Sequence, residues 1–254
     1  MEKGLVSIIM PTYNCGRFIT ETIESIQAQT YENWEIEIVD DCSKDDTKAI
    51  VEALMEKDPR IHYHCLPTNS GAAVARTEAM KLARGEYMAF CDSDDLWMPD
   101  KLERQLAFMN ENGYAFSCTA YEQIDEESNS LDRVIKTVKK TDYNRLLLDC
   151  PVGNSSVMYN VGMMGKFEVP NIRKRNDDAL WLTMLKKEKY IWGMPDVLMR
   201  YRIRKNSISS NKLSVIKYHW ILYRQIEHLS VLRSVFHICR SGYFFSFPQI
   251  CCRD

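Results

Sequence analysis

No stretch of the 254 residues approaches the roughly 18 apolar residues needed to span a bilayer, so a transmembrane helix is not expected. Neither sign of charge is in excess. The 33 lysines and arginines stand against 35 acids and the pI is near 6.2, so the basic surface usual for nucleic-acid binding is missing. No glycine-rich fingerprint follows the first apolar run, which argues against a dinucleotide oxidoreductase. The nine cysteines (15, 42, 65, 91, 118, 150, 239, 251 and 252) lack zinc-ligand spacing, and none of the five histidines sits in a motif. There is no internal repeat and no low-complexity linker. Met1 to Gly4 runs straight into an apolar segment ending at Pro11, so no secretory signal is expected. These absences point to reduced, mostly buried thiols, a cytoplasmic setting and a small-molecule partner.

Short apolar runs alternate with amphipathic segments from residue 5 to 118, the pattern of repeated strand-helix-strand units and a mainly parallel sheet. Strands are predicted over Leu5 to Met10, Trp34 to Val39, Ile61 to Leu66, Tyr87 to Cys91 and Tyr114 to Cys118. Helical spacing links Phe18, Ile19, Ile23 and Ile26, then Ile50, Leu54 and Met55, then Val74, Met80 and Leu82, then Leu102, Leu106 and Met109. Asp45 or Asp46, Ser70-Gly71 and Met98-Pro99-Asp100 supply helix starts. Further on, Asp125 to Ser130 reads as a hairpin tip, Ser155 to Tyr159 as a strand and Asp178 to Lys187 as a helix. The division expected is 1–120, 121–211 and a basic aromatic tail over 212–254.

The strongest chemical signal is Asp92-Ser93-Asp94-Asp95, three carboxylates in four residues after the run Tyr87 to Cys91. Packed like charges repel and raise one another's pKa unless a cation compensates. Hard oxygen ligands suit Mg²⁺ or Mn²⁺, which keep open positions for phosphates. Ligands of open α/β sheets bind beyond the carboxyl ends of the strands, and Asn14, Asp40-Asp41, Asn69 to Gly71 and the Asp92 cluster follow four successive strands. That convergence calls for a nucleotide-sized site.

Pro11-Thr12-Tyr13-Asn14, Val39-Asp40-Asp41 through Thr47, Asn69-Ser70-Gly71, Ala75-Arg76, Gly85-Glu86-Tyr87, the Asp92 cluster and Asn176-Asp177 occur in an order that resembles the inverting family 2 glycosyltransferases. The resemblance covers Val6 to about Lys212. It implies a GT-A fold: an α/β, Rossmann-like, mainly parallel sheet flanked by helices, here with a C-terminal helical extension. It also implies a UDP-sugar site, with Pro11 and Tyr13 against the uracil and Asp41 accepting from its N3–H. Arg76 would contact the nucleotide phosphates. Asp92, Ser93, Asp94 and Asp95 would hold the ribose and the ion, with Asp94 and Asp95 as metal ligands. Asp177 is the candidate base, followed by Trp181 at the family's spacing, and Asn176 departs from the usual glutamate. Thr77 likewise stands where asparagine is usual. The loop 201–211 has Arg202, Arg204 and Lys205 where many members carry a histidine, and Arg204 is the favoured phosphate contact.

The resulting expectation is a metal-dependent inverting enzyme. It moves a hexose, glucose or galactose first, from a UDP-sugar to a polyprenyl-diphosphate-linked saccharide in bacterial O-antigen, capsule or other surface-polysaccharide synthesis. The alternative is a non-catalytic nucleotide-sugar-binding or scaffold protein of the same fold. Haloacid-dehalogenase-type phosphoryl transfer fits poorly, because its aspartate nucleophile follows the first strand. The tail, with the apolar stripe Leu213, Ile216, Trp220, Tyr223 and Ile226, either rests on the inner membrane's cytoplasmic face, or packs on the protein or pairs with a second subunit. The run Gly242 to Pro248 favours the membrane.

Overall fold

The computed structural model describes residues 1–204 and 212–240. Lys205 and the run Gly242 to Pro248 lie outside the described residues. Ten strands form one mixed sheet: β1 (Glu2–Thr12), β2 (Trp34–Asp40), β3 (Ile61–Cys65), β4 (Gly85–Phe90), β5 (Leu96–Trp97), β6 (Phe116–Ile124), β7 (Ser130–Ile135), β8 (Lys140–Thr141), β9 (Met158–Asn160) and β10 (Ile191–Arg202). The path runs β3-β2-β1-β4-β9-β6-β10-β5, with β7 on β6 and β8 on β10. The first four strands in this path are mutually parallel, and antiparallel β9 joins them to the parallel pair β6–β10.

Alternation along β1 distributes its side chains to two cores. Val6, Ile8 and Met10 pack with Phe18, Ile19 and Ile23 of α1 (Gly16–Gln27), Val51 of α2 (Thr47–Met55), and Leu102, Leu106 and Met109 of α4 (Lys101–Asn112). Ile9, with Val39 and Phe90, packs on the other face against α3 (Ala72–Leu82) and α7 (Asn176–Leu185), where Trp181 meets Phe90 edge-on at 4.9 Å. A sheet covered on both faces explains why its strands read as nearly continuous apolar runs. Pro11, which has no N–H, sits just past the end of the β1–β4 ladder at Ile9↔Phe90, where the two strands separate. That separation opens the carboxyl edge.

The second half adds β6, β9 and β10 to the same sheet, together with α5 (Tyr143–Leu148) and α6 (Val161–Met164). The hairpin tip expected near Asp125 connects β6 to β7. Of the segment Ser155 to Tyr159, a 3-10 turn takes Asn154–Ser156 and only Met158–Asn160 is extended. The twelve-residue β10 was not expected from sequence. Pro195 and Asp196 interrupt its apolar pattern, and register shifts on either side of Val197 absorb them as bulges. Gly193 is required there, since a Cβ would stand 2.0 Å from the Val138 carbonyl oxygen. The tail forms α8 (Lys212–Ile221), a π-helical turn Leu222–Ile226 and α9 (Val231–Arg240). Leu222, Tyr223, Leu229 and Ile238 join the α7 core, and Tyr223 donates to the Leu147 carbonyl at 2.8 Å, so these residues pack on the protein.

Candidate active site

The carboxyl edge gathers the loops after β1, β2, β3 and β4. Asn14 adopts a left-handed backbone (φ 48°), its N–H donates to Ser43 Oγ, and its side-chain oxygen accepts from the Lys44 N–H, fastening the first loop to the second. Asp45 accepts from the N–H groups of Gly16 and Thr47 and so serves the starts of two helices. Tyr13 is 46% exposed at this edge and is therefore not a core tyrosine. Asp40 turns inward to Tyr63 and the Ser43 N–H. Asp41 is buried and accepts from the N–H groups of Ser70 and Gly71. Gly71, at φ 93°, has a backbone open chiefly to glycine, and it aims its N–H at Asp41.

Asp92 accepts from Arg76 Nη2 (3.0 Å) and Asn154 Nδ2 (2.8 Å). Burial raises its pKa; Arg76 lowers it, and Asp94 and Asp177 push it up again. The carboxylates of 92, 94 and 177 therefore share one field. Ser93 is buried, and its carbonyl accepts from Cys15 Sγ and Thr22 Oγ1, which pins the loop to α1. Asp94 keeps 21% side-chain exposure and pairs with Arg204 at 3.0 Å. Asp177 opens α7 in a partly exposed position. Its neighbour Asp178 is buried, pairs with Arg175 at 2.9 Å, and has its pKa pushed up to about 6 by burial and then by Asp177. Of the two aspartates, only Asp177 is available to a ligand.

Three more of the candidate residues are buried. Asp95 is 1% exposed, and its oxygens accept from Ser155 Oγ and the Arg202 N–H, contacts that brace the loop. Arg76 is also buried, so it is not a surface arginine, and its guanidinium joins Asp92 to the Asn176 side chain. Arg202 has a fully buried side chain bound to Glu21, the Asp94 carbonyl, Ser128 and the hairpin carbonyls of Asp125 and Glu126, which leaves Arg204 as the partly exposed cation of that pair.

Sequence reasoning missed Asn154 and Ser155, because a short 3-10 turn has no periodicity. Ser155 reaches both the Asp92 N–H and the Asp95 carboxylate. Arg76 Nε, Asn154 Oδ1 and Thr12 Oγ1 are buried polar atoms with no protein partner, the condition of groups awaiting a ligand or water. The oxygen donors of Asp94 and Asp92, both partly exposed and mutually repelling, fit a hard divalent cation. A separate group, Glu35, Glu37 and His62, lies back along β2 and β3. Glu35 is held by Arg84 and Ser7 there, and Glu37 by His62, so it reads as an ion-pair network toward the amino ends of the strands, away from the carboxyl edge.

A half-parallel sheet with an Asp-x-Asp loop at its carboxyl edge, completed by antiparallel β9 and the helix bearing Asp177, is the GT-A architecture of nucleotide-sugar-dependent glycosyltransferases. The chain belongs to family 2 of these enzymes: the sequence profile "Glycosyl transferase family 2" matches residues 7–171. It is 44% identical over 91% of its length to TuaG of Bacillus subtilis (strain 168), a glycosyltransferase provisionally assigned to teichuronic acid biosynthesis, covering 92% of that protein. It is 38% identical over 87% of its length to the Escherichia coli enzyme WfgD, a UDP-Glc:alpha-D-GlcNAc-diphosphoundecaprenol beta-1,3-glucosyltransferase, covering 85% of it. The fold matches Staphylococcus aureus TarS 1–349 in complex with UDP-GlcNAc at a TM-score of 0.72 and 21% identity, over 95% of this chain and 73% of that one. Among the described residues no helix is long and apolar enough to cross a membrane.

Proposed function

We propose that this glycosyltransferase is an inverting, metal-dependent hexosyltransferase. It takes glucose or galactose from a UDP-sugar and places it on a hydroxyl of a polyprenyl-diphosphate-linked saccharide in bacterial surface-polysaccharide synthesis. The observation that carries the reading is the Arg76 bridge between Asp92 and Asn176. It sets the acidic loop and the start of α7 side by side, which brings Asp177 close enough to raise the pKa of Asp92, at the edge where a sugar diphosphate would lie. The specificity of WfgD, shared by the Escherichia coli enzyme WfaP, which is 38% identical over 91% of this chain, supports the donor and the lipid-linked acceptor.

Tyr13 offers an aromatic face and Asp41 an acceptor, the pair needed to bind a flat imide base, with Pro11 closing the strand end beneath them. Asp92 and Ser93 position the ribose side of the nucleotide. Asp94, with Asp92 beside it, would hold Mn²⁺ or Mg²⁺, whose positive charge stabilises the leaving diphosphate. Arg204, released from Asp94 when that carboxylate takes a ligand, supplies a second cation to the phosphates. Asp177 accepts the proton of the acceptor hydroxyl as its oxygen bonds to the anomeric carbon. The bond from that carbon to the phosphate oxygen breaks on the opposite face, and its electron pair leaves with UDP.

The test is UDP release from a panel of UDP-sugars with Mn²⁺ and a short-chain lipid-diphosphate acceptor, with and without chelator. Asp177→Asn is expected to lower kcat by about 10²- to 10⁴-fold while UDP binding persists. Asp94→Ala is expected to abolish the metal-stimulated part. An Asp177→Asn enzyme of full activity would remove the base assignment, and absence of UDP binding by the parent would end the reading.

A further inference from the structure

We infer that the outward face of α9 is a docking surface for a bilayer rich in anionic lipid. The inference does not rest on the reading of donor or acceptor. At 3.6 residues per turn, Val231, Leu232, Val235, Phe236 and Cys239 fall within one arc of about 140°. Ser234, His237 and Ile238 occupy the opposite arc and are buried, with Ile238 in the core and His237 against the Tyr223 ring. The inward face is thus accounted for, and the outward one is apolar. Leu232 is 83% exposed, Phe236 53%, Val231 51% and Val235 45%. A helix lying on a soluble domain normally turns polar residues outward, and a contiguous apolar stripe in their place marks an interaction surface.

Charge selects the occupant. Arg233 and Arg240, both exposed, lie along one margin of the stripe. Residues 212–254 contain six lysines and arginines against two acids, and one of those acids, Glu227, is turned inward onto Lys186 and Tyr143. Two copies packed stripe to stripe would bring Arg233 and Arg240 of each together, whereas anionic headgroups neutralise them. Past Arg240 the sequence continues with Tyr243, Phe244, Phe245 and Phe247, residue types suited to the headgroup region. An open groove of about 480 Å³ runs beside the stripe, lined by Asn144 and Leu148 of α5 and by Leu232, Phe236 and Arg240 of α9. Since α5 also packs on α7, a bilayer under α9 lies against the half of the molecule that carries Asp177.

The test is co-sedimentation of the full chain with phosphatidylcholine vesicles, with or without phosphatidylglycerol, in the absence of any sugar donor. The parent is expected to bind the anionic vesicles in a salt-sensitive way. The variant Leu232→Asp/Phe236→Asp is expected to bind at least tenfold more weakly, and Arg233→Gln/Arg240→Gln about tenfold more weakly. UDP binding unchanged in both variants confirms an intact fold. Parent that stays in the supernatant with both vesicle types, or a stripe variant that binds as well as the parent, overturns the inference. So does a parent dimer that the stripe variant converts to monomer in sedimentation equilibrium, which would give the face to a second copy. Failure of sugar transfer in the separate assay would leave the vesicle result standing.

Discussion

Lys101 gives the most quantitative prediction. It opens α4 with no exposure to solvent, its Nζ 2.7 Å from Gln105 Oε1 and 4.1 Å from the centre of the Trp97 ring. Burial pulls its pKa down from 10.5 to about 7. The unfolded chain therefore holds this proton up to about pH 10, while the folded chain releases it near 7. Stability consequently rises with pH across that window, and at pH 7 the buried amine costs about 4 kcal/mol relative to high pH, falling to about 2 kcal/mol at pH 9. Lys101→Met keeps the stem and removes the amine at the loss of one neutral hydrogen bond to Gln105, worth about 1 kcal/mol. The variant is expected to be about 3 kcal/mol more stable than the parent at pH 7 and about 1 kcal/mol more stable at pH 9. Urea unfolding of both proteins at pH 6, 7, 8 and 9 reads this directly, because other titrations contribute equally and cancel in the difference. A variant less stable than the parent at pH 7, or a difference that does not shrink with rising pH, refutes the reasoning.

Asp178 should show the opposite slope. Its carboxyl is raised to about 6, so the folded state keeps a proton that the unfolded chain loses near 4, and stability falls as pH rises from about 4 to 6. Asp178→Asn is expected to flatten that decline, by about 2 to 3 kcal/mol, in thermal melts run from pH 4 to 7, and persistence of the decline would exclude Asp178 as its source. Arg202→Met strips the fully buried guanidinium that joins Glu21, Asp94, Ser128 and the hairpin. It is expected to cost about 3 kcal/mol, a Tm loss on the order of 10 °C, with weakened UDP binding as the Asp94 loop loosens. A Tm within 2 °C of the parent, an order-of-magnitude threshold, would show the staple to be dispensable.

Much of the structure over residues 1–120 was legible in the sequence. Its strands, buried on both faces, are short apolar runs, its helices carry one apolar stripe, and the polar residues that interrupt the pattern lie at strand ends. Tyr13, Asn14, Asp41 and the Asp92 cluster could be placed at one edge before any fold was known, because βα repetition brings every strand's carboxyl end to the same side. Residues 121–211 yielded less. Strand β10 hides behind Pro195 and Asp196, since a bulge suspends the two-residue alternation by which strands are recognised, and the turn bearing Asn154 and Ser155 is too short to have a period. Which acid or arginine faces a ligand was undecided by residue type. Asp94 and Asp95 are chemically alike and adjacent, yet one is partly exposed and the other lies locked between Ser155 and the Arg202 N–H. Arg76, Arg202 and Arg204 differ in the same way, the first two buried as braces and the third left with a partly exposed guanidinium. Local sequence determined the elements and the edge at which chemistry gathers. The roles within that edge were decided by contacts between residues sixty to a hundred or more positions apart, which no local pattern encodes.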